Sequence, residues 1–141
     1  MKSHLDSGPI FLRAFICLAL LCAVTATAQL AVTVLPVKVI GQKAVVQIAM
    51  KNDLAENVES ARAVCFLLDD KGKMAGQSTK WVIGQNKIGL ESGATNTFNF
   101  VITSPQPFIT TNLTAKVSFT RIILTGGRLA AMGEAVKITG Q

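Results

Sequence analysis

The sequence has 141 residues, of which 50% are hydrophobic and 16% are charged, and its formal net charge is +6 at pH 7. This length allows one domain with a single hydrophobic core. The one histidine is His4, so the rest of the chain has no imidazole to act as a general base, to complete a Ser-His-Asp triad or to bind a metal.

The basic residues are spread singly along the chain and form no run. Proteins that bind single-stranded nucleic acid place exposed aromatic side chains along a basic groove. This sequence has no Tyr and one Trp, so we expect no nucleic-acid partner. The positive charge is expected mainly to keep the protein soluble, with a weak attraction to anionic polymers of the cell envelope as the alternative.

The first 28 residues have the pattern of a secretory signal peptide. A weakly basic start precedes the uncharged run 14–24, and Ala26 and Ala28 are small residues at the positions that a signal peptidase reads. We predict cleavage before Gln29 and export of the chain, which would make the protein secreted or periplasmic.

Two alternatives concern the same segment. An uncleaved anchor would need roughly 20 apolar residues. The uncharged run has 11, although apolar residues resume at Leu30. A lipoprotein is not expected, because neither Cys17 nor Cys22 follows a small residue. The predicted organisation is therefore a signal peptide, 1–28, and one domain, 29–141, that touches a membrane only if the signal segment stays uncleaved.

The domain begins with two predicted strands. Leu30–Ile40 is rich in β-branched residues, but Pro36 cannot donate to a strand ladder, so this segment is predicted to be an edge strand or to kink at Pro36. A first strand that changes its partner sheet there would fit this pattern. Lys43–Lys51 alternates apolar and polar residues, which is typical of an antiparallel strand with one buried face. The polar segment Asn52–Ser60 is predicted to be a solvated loop.

The next predicted strand, Ala61–Asp69, is apolar on both faces. One face carries Ala61, Ala63, Cys65 and Leu67, and the other carries Arg62, Val64, Phe66 and Leu68. This pattern is typical of a strand buried on both sides. The alternative is that Val64, Phe66 and Leu68 form an apolar outer patch that a partner covers, and the sequence leaves both interpretations open.

A turn and a returning strand follow. Asp69–Gly72 is predicted to be a tight turn in which Gly72 supplies a positive φ. Lys73–Ile83 is the returning strand, and Trp81 near its end is expected to pack in the core or at its rim rather than to serve as a ligand platform. Leu90–Gly93 is predicted to be a second turn.

Three more strands complete the prediction: Ala94–Thr103, Leu113–Leu124 and Leu129–Ile138. A Gly-Gly hairpin turn joins the last two, and Gly133 is predicted to form a bulge. Seven short strands with turn signals between them predict an all-β fold, a seven-stranded antiparallel immunoglobulin- or fibronectin-like β-sandwich preceded by a signal-peptide helix. The lack of a Cys…Trp…Cys pattern excludes an antibody-type domain.

Four motifs follow one another along the chain in an order that is also found in a known family. They are Asn52, the run Cys65–Gly72 (CFLLDDKG), the corner Leu90–Gly93 (LESG) and the segment 98–100 (FNF). In this order they resemble the bacterial FxLYD-type domains. That family has a strand ending in Leu-Tyr-Asp, a D-x-x-G turn, an L-x-P-G corner and a following aromatic strand.

The match to this family is incomplete. Leu67, Asp69 and Gly72 occupy matching positions, whereas the family's Phe, Tyr and Pro are replaced by Cys65, Leu68 and Ser92. The resemblance spans Val45–Ile102, roughly half of the predicted domain. It implies an immunoglobulin-like sandwich on a secreted or surface protein of a bacterium, and it implies no particular activity.

The predicted domain offers few groups for catalysis. Cys65 is its only cysteine, which excludes an internal disulfide. We expect this thiol to pack as a small hydrophobic group rather than to react or to link two copies. Asp69 and Asp70 are expected to be turn residues rather than paired catalytic carboxylates. We therefore expect no enzyme activity, no metal and no cofactor.

These observations predict a non-enzymatic protein-interaction or structural module of the bacterial cell envelope whose partner is another envelope protein. Contact is expected through an apolar sheet face with Val64, Phe66, Leu68 and Trp81, or through strand addition to the first or the last strand. The alternative is a small domain that binds envelope carbohydrate or lipid, with Trp81 as the stacking platform. The sequence leaves the oligomeric state open.

Overall fold

The structure is a computed structural model that describes residues 28–141. The predicted signal-peptide helix, and Ala26 of the predicted cleavage site, lie outside the described residues. Ala28 is exposed, Gln29 is half-buried, and the first strand begins at the next residue.

Nine strands and two short helical segments make up the described part of the chain. They are β1 (Leu30–Val34), β2 (Lys38–Ile40), β3 (Lys43–Asn52), β4 (Val58–Leu68), β5 (Met74–Ile83), β6 (Thr95–Thr103), β7 (Thr114–Leu124), a 3-10 turn (Thr125–Gly127), β8 (Arg128–Leu129), α1 (Met132–Ala135) and β9 (Val136–Thr139). The chain is all-β, as predicted. Each of the seven predicted segments contains a strand, but the first and the last are interrupted, so seven segments give nine strands.

The strands form two sheets. In the first, β6 lies along one side of β3, β1 and β2 lie along its other side, and β9 pairs with β1. The second sheet has the order β5-β4-β7-β8. Every described pair is antiparallel except β1–β9, which is parallel, with Leu30 opposite Val136 and Val32 opposite Ile138. The predicted all-antiparallel arrangement is therefore wrong at this pair.

Pro36 interrupts the first strand without moving it to the other sheet. Both β1 and β2 pair with β3, and between them the amide of Leu35 donates to the carbonyl of Gln47 at 2.9 Å. The predicted change of sheet at Pro36 is wrong. The edge-strand alternative is wrong for β1, because β3 and β9 flank it on both sides. Pro36 is tolerated because it lies between two strands, where no ladder N–H is needed.

The chain changes sheets near its end instead. β8 pairs with the last residues of β7, α1 follows, and β9 then joins the first sheet beside β1. Gly133 lies in α1 rather than at a strand bulge. The predicted continuous strand Leu129–Ile138 is therefore wrong between Ala130 and Ala135, where the chain crosses from one sheet to the other.

One hydrophobic core lies between the two sheets. Alternate residues of β3 and β4 point into it and are each at most 1% exposed: Ala44, Val46, Ile48, Met50, Ala61, Ala63, Cys65 and Leu67. Phe100 of β6 is fully buried, and its ring meets that of Phe98 edge-on with 5.3 Å between centroids. Within residues 28–141 no helix has the length and apolarity needed to cross a bilayer.

Candidate functional site

The second sheet has one face in the core and one face directed away from it. β4 sets this division, because successive side chains of a strand point to opposite faces. Its inward residues are fully buried, whereas Val64, Phe66 and Leu68 are half-buried and Arg62 is exposed. Of the two interpretations that the sequence allows, burial on both sides is therefore wrong, and the three apolar residues form a row on the outside of the sheet.

The strand register identifies the neighbours of this row. Residues directly opposite each other share a face of the sheet. We call the resulting surface the β4 outer face, and it consists of Arg62, Val64, Phe66 and Leu68 of β4, Met74, Gln77, Thr79 and Trp81 of β5, and Thr114, Lys116, Ser118 and Arg121 of β7. All four site residues predicted for an interaction surface lie on it, and whether they bind a partner stays a prediction.

Trp81 lies on this face and not in the core, so of the two positions expected for it, the core or its rim, the core is wrong. It is 36% exposed, and the core positions at the end of β5 belong to Val82 and Ile83, which are 4% and 3% exposed. A shift of register between Ala61 and Arg62 places Trp81 opposite Arg62. The Arg62 guanidinium carbon lies 5.9 Å from the centroid of the indole, which is cation–π distance.

The charge on the β4 outer face has one sign. Arg62 and Arg121 lie at one end of the apolar row and Lys116 lies on its β7 side, and no residue of the face is acidic. Asp69 and Asp70 follow β4 at the edge of the face. Because a positive patch steers and selects partners of opposite potential, the face is suited to a surface with an apolar centre and an acidic rim.

The Asp69 carboxylate accepts hydrogen bonds from the backbone of the turn that follows β4. Its Oδ1 accepts hydrogen bonds from the amides of Lys71 at 2.9 Å and Lys73 at 2.8 Å, and its carbonyl accepts one from Gly72 at 3.0 Å. Gly72 has a φ of 76°, a conformation that glycine adopts without a steric penalty. The turn prediction for Asp69–Gly72 is thus confirmed, and the interpretation as paired carboxylates has no geometric support.

Cys65 is a free thiol that is 0% exposed. Desolvation by burial raises the pKa of Cys65 to about 11. The thiolate is the form that attacks electrophiles and binds metals, so the protonated thiol is inert at neutral pH. In residues 28–141 no group of three or more His, Cys, Asp or Glu side chains is arranged to hold a metal ion.

Asn52 is the residue that the sequence-based interpretation missed. It ends β3 instead of opening a solvated loop, and its side chain is 0% exposed. The amide nitrogen donates to the carbonyls of Glu56 at 2.9 Å and Leu90 at 3.0 Å, and the amide oxygen accepts from the Leu54 amide at 3.0 Å. The side chain therefore joins the β3–β4 connection to the Leu90–Gly93 corner. Its place among the FxLYD-like motifs was the available signal.

Two surface cavities lie away from Trp81. One of about 630 Å³ is on the outer side of the first sheet, lined by residues such as Ala31, Ala49 and Thr97. The other, of about 330 Å³, adjoins Gly84 and Phe98. The second cavity combines the half-buried ring of Phe98 with polar residues such as Gln85 and Asn86, but Trp81, the ring expected to serve as a sugar platform, lines neither cavity.

A scan of protein-family models finds no match to the chain, and searches of curated proteins and of solved structures find none either. The resemblance to FxLYD-type domains accordingly stays a prediction that depends on the motifs themselves. The function has to be argued from the β4 outer face and the strand edges.

Proposed function

We propose that the protein is exported and acts as a non-enzymatic interaction module of the bacterial cell envelope, binding another envelope protein through the β4 outer face. The observation that carries the proposal is the row of Val64, Phe66 and Leu68 on the side of the sheet opposite the core. Met74 and Trp81, which are 56% and 36% exposed, extend it. A contiguous apolar surface of this kind is typical of a protein contact site.

The chemistry of the face supports a protein partner over a sugar. Interfaces favour Trp, Phe, Met and Arg at their centre, and those residue types are the ones concentrated here. The partner is a surface with an apolar centre and acidic residues around it, matching Arg62, Lys116 and Arg121. Arg62 lies over the Trp81 ring, and this occupies a ring face that a carbohydrate would use.

Export is supported by the contacts of Gln29, the residue that would follow the predicted cleavage site. The Gln29 carbonyl accepts a hydrogen bond from the Asp53 amide at 3.0 Å, and its side-chain nitrogen donates to the Glu134 carbonyl at 2.9 Å. Ala28 is exposed. Cleavage after Ala28 would therefore keep Gln29, which is the first residue of the described range 28–141 that packs on the domain. Mass spectrometry of the protein from its host should give a chain starting at Gln29, with or without loss of ammonia from that residue.

The strand order supports a sandwich of the immunoglobulin or fibronectin class as the fold. β4 and β7 are adjacent in one sheet, β3 and β6 are adjacent in the other, and the connections from β3 to β4 and from β6 to β7 cross between sheets. This is the pattern of Greek-key sandwiches. The parallel β1–β9 pair and the crossing at α1 distinguish this chain from a purely antiparallel sandwich.

The test compares two apolar-to-acidic variants. Phe66→Glu puts a carboxylate at the centre of the face, and Val101→Glu puts one at a 47% exposed position of β6 in the other sheet. Affinity purification from the native envelope, followed by mass spectrometry, should recover one exported protein with the wild type and with Val101→Glu. Phe66→Glu should weaken the interaction about thirtyfold or more, as expected for a central contact.

Three outcomes would contradict the proposal: recovery of the same partner by Phe66→Glu, loss of it equally in both variants, or retention of glycan or lipid in place of protein. Thermal unfolding of both variants shows whether the fold survives. Lys116→Glu provides a second test, because it changes only an exposed charge of the face. The association rate with the partner should fall at low salt.

A further inference from the structure

The second sheet has an incomplete edge at β7. This strand pairs with β4 along Thr114–Leu124, but on its other side only Ile123 and Leu124 have a partner strand, the two-residue β8. The amide of Ala130 donates to the Ile122 carbonyl at 3.0 Å, and the chain then leaves the edge through α1. Among residues 28–141 no strand lies beside Thr114–Arg121 on that side. We call this stretch the β7 free edge.

A side chain takes the place of a strand at one point of the β7 free edge. The Val117 amide donates to Oε1 of Gln141 at 3.1 Å, and Nε2 of Gln141 donates back to the Val117 carbonyl at 3.4 Å. This pair of reciprocal bonds is the one that an antiparallel neighbour residue makes. Gly140 brings Gln141 to this position, with a φ of 85° and with its α carbon close against Val34.

Other backbone groups of β7 also point to this edge. Backbone groups two residues apart point to the same side of a strand, so the amides and carbonyls of Ala115 and Phe119 point the same way as those of Val117. Their side chains point into the core and are 5%, 4% and 8% exposed for Ala115, Val117 and Phe119, against 0% for the inward residues of β4. A further strand would complete both the hydrogen bonds and the burial.

The opposite side of the domain is closed. There the edge strands β5 and β6 approach so closely that a Cβ on Gly76 would lie 2.8 Å from Cγ2 of Ile102. On the β7 side, α1 and β1 contact β7, and a Cβ on Gly140 would lie close against the Val34 carbonyl oxygen, but no described strand pairs with Thr114–Arg121. Along Thr114–Arg121 of β7, an added strand would gain backbone pairing and also contact with the inward side chains of Ala115, Val117 and Phe119.

We propose that the β7 free edge is a strand-addition site for an extended segment of another protein, and that the Gln141 side chain occupies it when the partner is absent. The segment alternates apolar residues, which cover Ala115, Val117 and Phe119, with acidic residues, which lie beside Lys116 and Arg121 on the β4 outer face. The net charge of +6 disfavours a second copy of this chain as the occupant. The proposal depends on the proposed function only in taking a protein as partner.

The test measures amide exchange by NMR in the purified protein. The probe is a capped synthetic peptide in which valine alternates with glutamate, and a scrambled peptide of the same composition is its control. At about ten times its Kd the alternating peptide should slow exchange of the Ala115 and Phe119 amides about tenfold. Without peptide, the Val117 amide should exchange more slowly than those two because Gln141 accepts its hydrogen bond.

Variants separate this site from other edges. Gln141→Ala removes the competing amide and should tighten peptide binding about fivefold, whereas Gln85→Ala, the same change in an exposed loop, should have no effect. Ala115→Pro removes an edge N–H and should weaken binding, with circular dichroism as the check on folding.

Four results would overturn the proposal: equal effects of both peptides, protection of β5 or β6 amides instead, no protection at any peptide concentration, or slowed exchange that depends on protein concentration alone and so indicates a second copy. Each leaves the Phe66→Glu test of the β4 outer face unaffected, because that test probes a side-chain face rather than this backbone edge.

Discussion

The Arg62 guanidinium lies 5.9 Å from the centroid of the Trp81 ring, across the irregular register at which β4 meets β5. Because the pair is partly exposed, we expect a double-mutant cycle of Arg62→Ala and Trp81→Leu to give a coupling free energy of about 0.5–1 kcal/mol. Chemical unfolding provides the measurement. The same cycle with Arg121→Ala should give no coupling, since Arg121 lies on β7, and equal coupling in both cycles would contradict a specific contact.

Asn52 is expected to be the most sensitive polar position of the described chain. Asn52→Ala removes the buried amide, so the Leu54 amide loses its acceptor, and the Leu90 carbonyl loses one of two donors and keeps the Val58 amide. The free energy of unfolding should fall by about 2–4 kcal/mol. Asn99→Ala, at an exposed position of β6, should change it by less than about 0.5 kcal/mol. A loss at Asn52 no larger than at Asn99 would show that the amide does not organise the corner.

The buried thiol predicts a pH dependence of stability above neutrality. Burial raises the pKa of Cys65 to about 11 in the folded protein, and the unfolded chain loses this proton near pH 8.5–9. The unfolded state therefore binds fewer protons in this window, so the contribution is complete below about pH 9 and is lost as pH rises to about 11. The loss amounts to roughly 2–3 kcal/mol.

Cys65→Ala isolates this contribution, because all other side chains are common to both proteins. The free energy of unfolding of the wild type should fall more steeply than that of Cys65→Ala between pH 9 and 11. Equal slopes would mean that the thiol is solvated. As a second measurement, a thiol reagent should label Cys65 only after unfolding.

Two glycines provide a matched pair of alanine substitutions. Gly84 has a φ of 84°, and a Cβ there would lie 2.5 Å from the Glu59 carbonyl oxygen, whereas nothing lies within 4 Å of a Cβ on Gly133. Gly84→Ala should destabilise by about 2–4 kcal/mol through strain and clash. Gly133→Ala, inside α1, should be neutral or stabilising by up to about 1 kcal/mol. Thermal unfolding distinguishes these outcomes, and similar melting temperatures would contradict the packing of Gly84 on β4.

Local features of the fold were predictable, and long-range ones were not. The alternation of apolar and polar residues identified β3 and β7, and the residue types of Asp69–Gly72 identified a turn. Strands and turns of this kind could be predicted because their patterns involve residues that are close in sequence. The parallel pairing of Leu30 with Val136 joins opposite ends of the domain, and no local pattern encodes it. The residues Ala130–Ala135 were expected to continue a strand, but they cross between the two sheets.

The residues of the candidate site were predictable from the sequence, but which face of the sheet they share with solvent was not. Successive side chains of β4 point to opposite faces, so Val64 and Phe66 lie on the face opposite Cys65. Because both faces of this strand are apolar, the sequence does not show which of them the other sheet covers. Asn52 was missed for the related reason that its partner Leu90 lies 38 positions away. A polar residue after a strand is usually solvated, and burial depends on acceptors supplied by the rest of the fold.

The central claim is that the β4 outer face binds an exported protein, and site-specific photocrosslinking in the native envelope tests it most directly. A photoreactive residue replaces Gln77, which lies opposite Phe66 on the face, or Asn99, which is exposed on the other sheet. We predict one crosslinked protein from position 77, lost when Phe66→Glu is added, and none from position 99. Absence of any protein adduct at position 77, or the same adduct at both positions, would contradict the claim.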